Sequence, residues 1–305
     1  MKRFAPRRQR GIALLLAVLL SALAALLAFA ILDSQAVALQ RTHAQMRGAQ
    51  LDEFARGVEA IASIALRRDQ PDLDHNGDVW RQPLVLELPR GRLSARMRDL
   101  NGCFNLNSLV GPAPTQSLER LERLLVALEL DPETAHAIAD YIDADQTSRD
   151  RGAEDLRYLG GRPAYRTADR PLAHVSELLA VAGVDADSYG RLSAETCTLR
   201  PGATINVNTA SNAVLRSLSP GLDQARAAAL AAEGNARHLG IAEFLQQVDI
   251  TGAARPDSQG LGVQSDEFLL VSEIEYDGVK VAYWAHLVRL NGRVRVEARG
   301  RGRYR

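Results

Sequence analysis

One long apolar run dominates the start of the chain. It extends from Ile12 to Leu32 without a charged residue and consists almost entirely of Ala, Leu, Ile, Val and Phe. That length matches the roughly 20 residues that a helix needs to cross a bilayer. A basic flank precedes it, made of Lys2, Arg3, Arg7, Arg8 and Arg10. Because basic flanks remain in the cytoplasm, the pattern predicts a single-pass anchor with everything after Asp33 exported.

The same residues fit three kinds of N-terminal segment. A secretory signal peptide would be cleaved near Ala28-Phe29-Ala30, although its apolar region is usually only about 7–15 residues long. A plain membrane anchor would stay uncleaved. A class III leader is cleaved before the apolar run, after a glycine that ends the basic stretch. Gly11 followed by Ile12 fits this third pattern.

Beyond the apolar run the pattern becomes that of an amphipathic helix. Apolar side chains at helical spacing predict one buried stripe, formed by Leu51, Phe54, Val58, Ile61 and Ala65. Charged residues occupy other positions of the helical wheel. We therefore expect the N-terminal helix to continue past the membrane and to pack this stripe on a sheet.

Short segments at both ends of the remaining chain predict strands. They comprise residues 84–88 and 93–100 on one side, and 268–276, 279–290 and 293–298 on the other. Asp277-Gly278 and Asn291-Gly292 predict tight hairpins between the last three strands, because both turn residues tolerate positive φ. The prediction is an α+β fold in which mostly helical residues 101–265 interrupt an antiparallel sheet.

The helical stretch contains a weak internal repeat. The sequence FNLN at residues 104–107 returns as INVN at 205–208, and a helix, a proline-containing turn and a second helix follow each copy. Because Asn, Ser and Thr cap helix starts, one interpretation is a capping motif used twice. The other is a helix-hairpin-helix, resembling a membrane-anchored DNA-binding competence protein, whose backbone N–H groups bind phosphate. Acidic residues at the turns, Asp131, Glu133 and Asp223, would repel that phosphate.

Composition narrows the functional classes. The 305 residues are 46% hydrophobic, enough for at least one sizeable core, and 37 basic residues balance 37 acidic ones. No global positive charge therefore attracts nucleic acid. The sequence has no GxSxG, HExxH or P-loop motif, and its six histidines lack ligand spacing. These features favour a protein that is not an enzyme, with an anchored hydrolase of dispersed triad residues as the catalytic alternative.

Two acidic segments are candidates for metal binding. Carboxylates crowd the stretch from Asp140 to Asp155, and oxygen ligands at this density suit calcium. A solvated acidic loop is the alternative. The segment 72–77 matches the first half of an EF-hand loop, but Pro83 stands where that loop needs a bidentate glutamate.

Several motifs, in the order in which they occur, resemble those of K-type minor pseudopilins of bacterial type II secretion systems. They are the Gly11-Ile12 junction, the two NxN motifs, and residues 140–177, where an acidic turn precedes a GAE loop, an RPL segment and SEL. Most pilins carry Glu at the fifth position after the junction, which is Leu16 here. The K-type subunit is the one expected to lack this acid. The resemblance covers nearly the whole chain.

This resemblance implies a pilin-like fold, with a long N-terminal helix packed on an antiparallel sheet and a large, mostly α-helical inserted domain. The expected parts are a leader peptide at 1–11, a transmembrane helix at 12–32, the pilin helix with the first strands at 33–100, a helical insert with two hairpin-like repeats at 101–265, and C-terminal strands at 266–305.

The resemblance also implies a role. A K-type subunit is expected at the tip of the pseudopilus, where it helps to initiate assembly and the export of folded proteins across the outer membrane. The expected partners are minor pseudopilins of the I and J types, the inner-membrane secretion platform, and prepilin peptidase, which would cut after Gly11 and methylate Ile12. The expected location is the inner membrane, with a single pass and the bulk of the chain in the periplasm, and no nucleic acid is expected as a partner.

Two further features follow from the resemblance and the exported location. K-type subunits are thought to bind calcium in the insert, which implies Asp143, Asp145, Glu154 and Asp155 as ligands. Cys103 and Cys197 are the two cysteines of the chain and can oxidise outside the cytoplasm. Each lies just before one NxN motif, so a disulfide is expected to tie the two halves of the insert together. Two buried free cysteines are the alternative.

Overall fold

The computed structural model describes residues 9–70, 72–248 and 255–304. Positions 1–8 of the expected leader lie outside the described residues. The chain divides into two compact units, residues 1–54 and 55–305, which are considered separately. Helix α1, Gln9–Arg68, contributes to both units. The prediction that the N-terminal helix continues beyond the apolar run is confirmed.

The first unit carries the apolar run within α1. Its large side chains are exposed; Leu14, Leu16 and Phe29, for example, are 70%, 53% and 71% exposed. Exposed apolar surface costs roughly 25 cal/mol per Å² in water, so a helix of this kind requires an apolar surrounding. Among the described residues, α1 is the one helix long and apolar enough to cross a membrane. It fits a single-pass anchor.

The second unit is an α+β structure, as predicted. After α1 its elements are β1 Leu84–Leu88, β2 Gly91–Asp99, β3 Phe104–Asn105, α2 Pro114–Ala127, α3 Thr134–Ile142, α4 Asp155–Leu159, α5 Ala186–Glu195, β4 Thr196–Cys197, β5 Ile205–Asn206, α6 Asn212–Ser217, α7 Gln224–Ala231, α8 Ile241–Gln247, β6 Leu261–Gly262, β7 Glu267–Tyr276, β8 Val279–Leu290 and β9 Arg293–Arg301. Short 3₁₀ turns lie at Val79–Arg81, Leu106–Val110, Val175–Ala180 and Ala232–Gly234.

Five strands form one antiparallel sheet in the order β1-β2-β7-β8-β9. Both predicted hairpins are confirmed: Asp277 and Gly278 have φ of 52° and 72°, and Asn291 and Gly292 have 52° and 71°. Strand β2 pairs with β7, which follows about 170 residues later in the chain, so Met97 lies opposite Leu270. The N-terminal hairpin and the C-terminal meander are thereby joined into one sheet.

The part of α1 in this unit lies against the sheet. Arg289 of β8 donates to the carbonyl oxygen of Leu66 at 3.5 Å, and Arg299 of β9 pairs with Glu59 at 3.1 Å. The buried face of this segment consists of Ala55, Val58, Ala62 and Leu66. The predicted stripe was therefore partly wrong, since Ile61 is 43% exposed and Ala65 is only half-buried.

The helices between β2 and β7 form two halves, and each half begins and ends in a pair of short parallel strands. In the first half β3 pairs in parallel with β4, and in the second β5 pairs in parallel with β6. The halves share one apolar core, and Arg123 of α2 donates to the carbonyl oxygen of Ser217 in α6 at 2.8 Å. The helix-turn-helix pattern predicted after each NxN motif is present as α2–α3 and α6–α7. The two-residue parallel strands were not predicted, because their partners lie far away in sequence.

Candidate functional site

The first asparagine of each NxN motif organises its own turn. Asn105 Oδ1 accepts from the backbone N–H of Asn107 at 3.1 Å and from that of Leu199 at 2.9 Å. Asn206 Oδ1 accepts from the N–H of Asn208 at 3.0 Å. Asn105 is the N-cap of the 3₁₀ turn that follows it. The predicted capping role is therefore confirmed for the first copy.

The second asparagine of each motif clamps a distant segment. Asn107 accepts from the N–H of Leu172 at 2.7 Å and donates to its carbonyl oxygen at 3.0 Å. Asn208 makes the same pair of bonds to His238, at 2.7 and 3.0 Å. All four asparagines are buried. These clamps, which sequence reasoning missed, give the internal repeat a structural role.

Acidic side chains accept from a backbone N–H at both hairpin turns. Asp223 Oδ1 accepts from the N–H of Arg226 at 2.8 Å, and Asp131 Oδ1 accepts from the N–H of Glu133 at 3.0 Å. Carboxylates thus occupy the positions that a DNA phosphate would need. The helix-hairpin-helix alternative has no support from this geometry.

The half EF-hand segment serves a buried ion pair. Asp74 is completely buried, and its carboxylate accepts from Arg289 Nη2 at 2.5 and 2.6 Å and from the N–H of Ser265 at 2.8 Å. Burial raises the pKa of Asp74 to about 7, against the opposing effect of the nearby guanidinium. Asn206 donates to Asp99 Oδ2 at 3.2 Å in the same network. The sequence signal for this ion pair was Arg289, a charged residue near the end of the largely apolar strand β8.

The acidic loop brings three of its predicted ligands together. Carboxylate oxygens of Asp143, Asp145 and Glu154 lie within 4.8 Å of one another. Asp143 is the C-cap of α3 and Glu154 is the N-cap of α4, so the two helix ends position the cluster. Gly152 permits the tight loop, because a Cβ there would lie 1.8 Å from Asp140 Oδ2.

Among the described residues, this cluster holds more carboxylates than cationic side chains. Burial, and then the charges of Asp140 and Asp143, raise the pKa of Glu154 to about 7. Neither of its carboxylate oxygens has a hydrogen-bond partner among the described residues. Burial also raises the pKa of Asp143, although Arg149 Nη1 bonds both Asp140 and Asp143 at 2.5 Å. Arg149 therefore bonds two of the clustered carboxylates, while Glu154 has no such partner among the described residues.

Asp155, the fourth predicted ligand, is not among the carboxylates that converge in this cluster. Its Oδ1 accepts from the N–H and the hydroxyl of Thr167 at 3.0 and 2.9 Å. Its Oδ2 accepts from Arg166. These bonds tie α4 to the segment that follows it. Thr167 is 12 positions further along the chain, beyond the reach of a local pattern.

Cys103 and Cys197 form a disulfide, with their Cα atoms 5.9 Å apart. They pack with Leu100, Leu199 and Leu269 on the sheet. Because β4 lies beside β3, the disulfide joins the start and the end of the first half of the insert. The expectation that it ties the two halves together was wrong. Gly11 and Ile12, at the expected processing junction, lie within α1, and Ile12 is 65% exposed.

Comparison with known proteins identifies the family. Two models described as type II secretion system protein K match residues 102–201 and 205–264. The chain is 31% identical to type II secretion system protein K of Pseudomonas aeruginosa, over 97% of this chain and 94% of that protein. The corresponding protein of Klebsiella pneumoniae is 35% identical over 86% of this chain and 87% of its own.

A solved structure agrees with these sequence relationships. A chain of the GspK-GspI-GspJ complex from enterotoxigenic Escherichia coli superposes with a TM-score of 0.77 at 25% identity, covering 86% of this chain and 99% of that chain. Sequence and fold point to the same family over most of the length. The chain belongs to the type II secretion system protein K family and is a minor pseudopilin.

Proposed function

We propose that this minor pseudopilin occupies the tip of the pseudopilus with partners of the I and J types and helps to initiate its assembly. The observation that carries the proposal is the likeness to a chain of the GspK-GspI-GspJ complex, which extends over 99% of that chain. The role is that of a structural component, not an enzyme, in the export of folded proteins across the outer membrane.

Two features of the chain support a terminal position. Leu16 stands where most pilins have a glutamate that is thought to pair with the terminal amine of the subunit above. A subunit without this acid suits the end of a filament. The helical region between β2 and β7 is also bulky, and neighbours within a shaft would clash with it. Both features favour the tip over the shaft.

Processing and location complete the proposal. Prepilin peptidase would cleave after Gly11 and methylate Ile12, leaving the apolar helix as the inner-membrane anchor with the remainder of the chain in the periplasm. The inner-membrane secretion platform would then extract the subunit into the filament. The charge-free run from Ile12 to Leu32 behind a basic flank supports this orientation.

Calcium is the cation that we propose for the acidic loop. Asp143, Asp145 and Glu154 would hold it, since their oxygens converge and those of Glu154 lack hydrogen-bond partners among the described residues. Hard oxygen ligands of this type suit calcium. The bound cation would neutralise the excess negative charge between the ends of α3 and α4.

The decisive experiment is the mass and N-terminal sequence of the mature protein from membranes that contain prepilin peptidase and the I and J subunits. We expect a chain that begins at N-methylated Ile12 and co-purifies with both subunits. Gly11→Val should block cleavage, whereas Gly57→Ala, at an unobstructed position of α1, should be processed normally. A chain beginning at Met1 or near Ile31 would contradict processing, and a mature chain that captures neither subunit would contradict the tip assignment.

A further inference from the structure

A small cavity opens at the N-terminus of α2, away from the acidic loop. Its volume is about 170 Å³. The polar side chains on its wall are those of Asn105, Ser108, Gln116, Ser117, Arg120, Thr204 and Gln259. None of the described residues that line it is Asp or Glu. The cavity therefore presents donors and a positive charge without a carboxylate in its wall.

The helix end at this cavity is uncapped. The N-cap residue of α2 is Ala113, which makes no side-chain capping bond, and Pro114 follows it at the first helical position. Pro114 has no N–H, and the N–H of Ser117 donates to the carbonyl oxygen of Ala113 at 3.0 Å, so the N–H groups of Thr115 and Gln116 are the ones that lack a partner within the helix. The dipole of this 14-residue helix places partial positive charge at the same end. Gln116 and Ser117, in this first turn, both line the cavity.

Arg120 supplies a full positive charge to the same cavity. The residue is 4% exposed, and its Nη2 donates to the carbonyl oxygens of Asp257 and Gln259 at 3.3 and 3.0 Å. Its Nε is buried and has no hydrogen-bond partner in the part of the chain that the structure describes. No described carboxylate lies within 4.0 Å of its guanidinium nitrogens. Because buried charges are normally paired, Arg120 is left without a paired anion among the described residues.

The surroundings leave room for that anion. Gly260 has φ of 71°, and a Cβ there would lie 3.3 Å from Arg120 Nη1. A side chain at this position would therefore crowd the guanidinium. One competing acid is Asp257, which is exposed and whose Oδ2 accepts from Gln116 Nε2 at 3.1 Å. Asp257 weakens the positive field of the cavity without filling it.

We propose that this cavity binds a carboxylate group, held between Arg120 and the uncapped N-terminus of α2. The planar guanidinium matches the geometry of a carboxylate, and helix N-termini favour anions. The volume suits a group of a few atoms, such as free acetate or one acidic side chain of a neighbouring protein. The site is separate from the proposed calcium cluster and does not depend on the proposed tip position.

The test uses the full chain in detergent, labelled with ¹⁵N, and follows arginine Nε–H signals while acetate replaces chloride at constant ionic strength. The signal that is absent from Arg120→Lys should shift saturably, with a dissociation constant in the millimolar range. Asp257→Asn should bind acetate about threefold more tightly, because it removes the competing charge. Arg96→Met, which removes an exposed arginine outside the cavity, should leave binding unchanged.

A second ligand distinguishes the two sources of the carboxylate. Glutamate blocked at both its amino and carboxyl ends presents a side-chain carboxylate on a peptide backbone. Tighter binding of blocked glutamate than of acetate would support a protein carboxylate, and binding of acetate alone would support a free anion. No saturable shift with either ligand would overturn the proposal. So would an unchanged affinity in Asp257→Asn, which remains informative if variants of Arg120 fail to fold.

Discussion

Asn208 holds both backbone polar groups of His238, 30 residues further along the chain. Its Oδ1 accepts from the N–H of His238 at 2.7 Å and its Nδ2 donates to the carbonyl oxygen at 3.0 Å. The side-chain amide thereby satisfies the two backbone groups of His238, as a neighbouring strand does in a sheet. Asn107 and Leu172 are related in the same way in the first half of the insert.

The amide of Asn208 should be required for stability. Asn208→Asp keeps the acceptor but removes the donor and places a buried carboxylate against a carbonyl oxygen. We expect a loss of about 1–3 kcal/mol in the free energy of unfolding, measured by chemical denaturation. Asn235→Asp changes an exposed asparagine and should cost much less. Equal losses in the two variants would contradict the clamp.

Glu154 should make stability depend on pH and on calcium. Its pKa in the folded protein is raised to about 7, so the folded state binds its proton more tightly than the unfolded state does. In EDTA, stability should therefore fall as the pH rises from about 4.5 to about 7. The fall should be smaller in Glu154→Gln, as measured by thermal unfolding.

Calcium should reverse this loss in the wild-type protein at pH 7. The expected gain is about 2.7 kcal/mol when free calcium is 100 times its dissociation constant. Glu154→Gln should gain much less, whereas Glu129→Gln, at a highly exposed position, should behave as wild type. An equal gain in Glu154→Gln would place the calcium elsewhere.

The disulfide should be a major source of stability. Cys103 and Cys197 are separated by 94 positions, and closing a loop of this length restricts the unfolded chain. Cys103→Ser with Cys197→Ser should cost about 2–5 kcal/mol in guanidinium denaturation. Reducing agent should weaken the wild-type protein and leave the double variant unaffected. Identical curves for the oxidised and reduced wild type would contradict the role of this bond.

Arg289 should be needed to compensate Asp74. Arg289→Met leaves a completely buried carboxylate without its counter-charge, and we expect a loss of about 3–5 kcal/mol at about pH 8.5, above the pKa of about 7 of Asp74. The loss should shrink at pH 5, where Asp74 takes up a proton, and in the double variant with Asp74→Asn. Arg293→Met, at an exposed position of β9, should change stability by less than about 0.5 kcal/mol. A loss independent of pH would argue against the pairing.

The elements that the sequence predicted best are those fixed by neighbouring residues. The hairpins at Asp277-Gly278 and Asn291-Gly292 follow from local backbone preferences, and strands β1 and β8 have the predicted bounds. The buried face of α1 was less predictable, because it depends on which sheet residues the helix meets. Ala62 and Leu66 are buried there while the larger Ile61 remains exposed.

The candidate sites show the same limit. Acidic density pointed to Asp143, Asp145 and Glu154, whose oxygens do converge. It also pointed to Asp155, whose carboxylate accepts from Thr167, a residue that only the folded chain brings into reach. The clamps of Asn107 and Asn208 could not be predicted from the sequence for a related reason. Their partners lie 65 and 30 positions away and contribute only backbone atoms.

The paired short strands at the base of each half of the insert have a mechanical consequence. The chain leaves and re-enters at neighbouring points, through β3 beside β4 and through β5 beside β6. The helices of the insert therefore lie between paired points of entry and exit, and are not part of the contact between α1 and the sheet. We therefore expect a pulling force on the subunit to act on the five-stranded sheet and the helix packed on it, and to leave the helices of the insert unstretched.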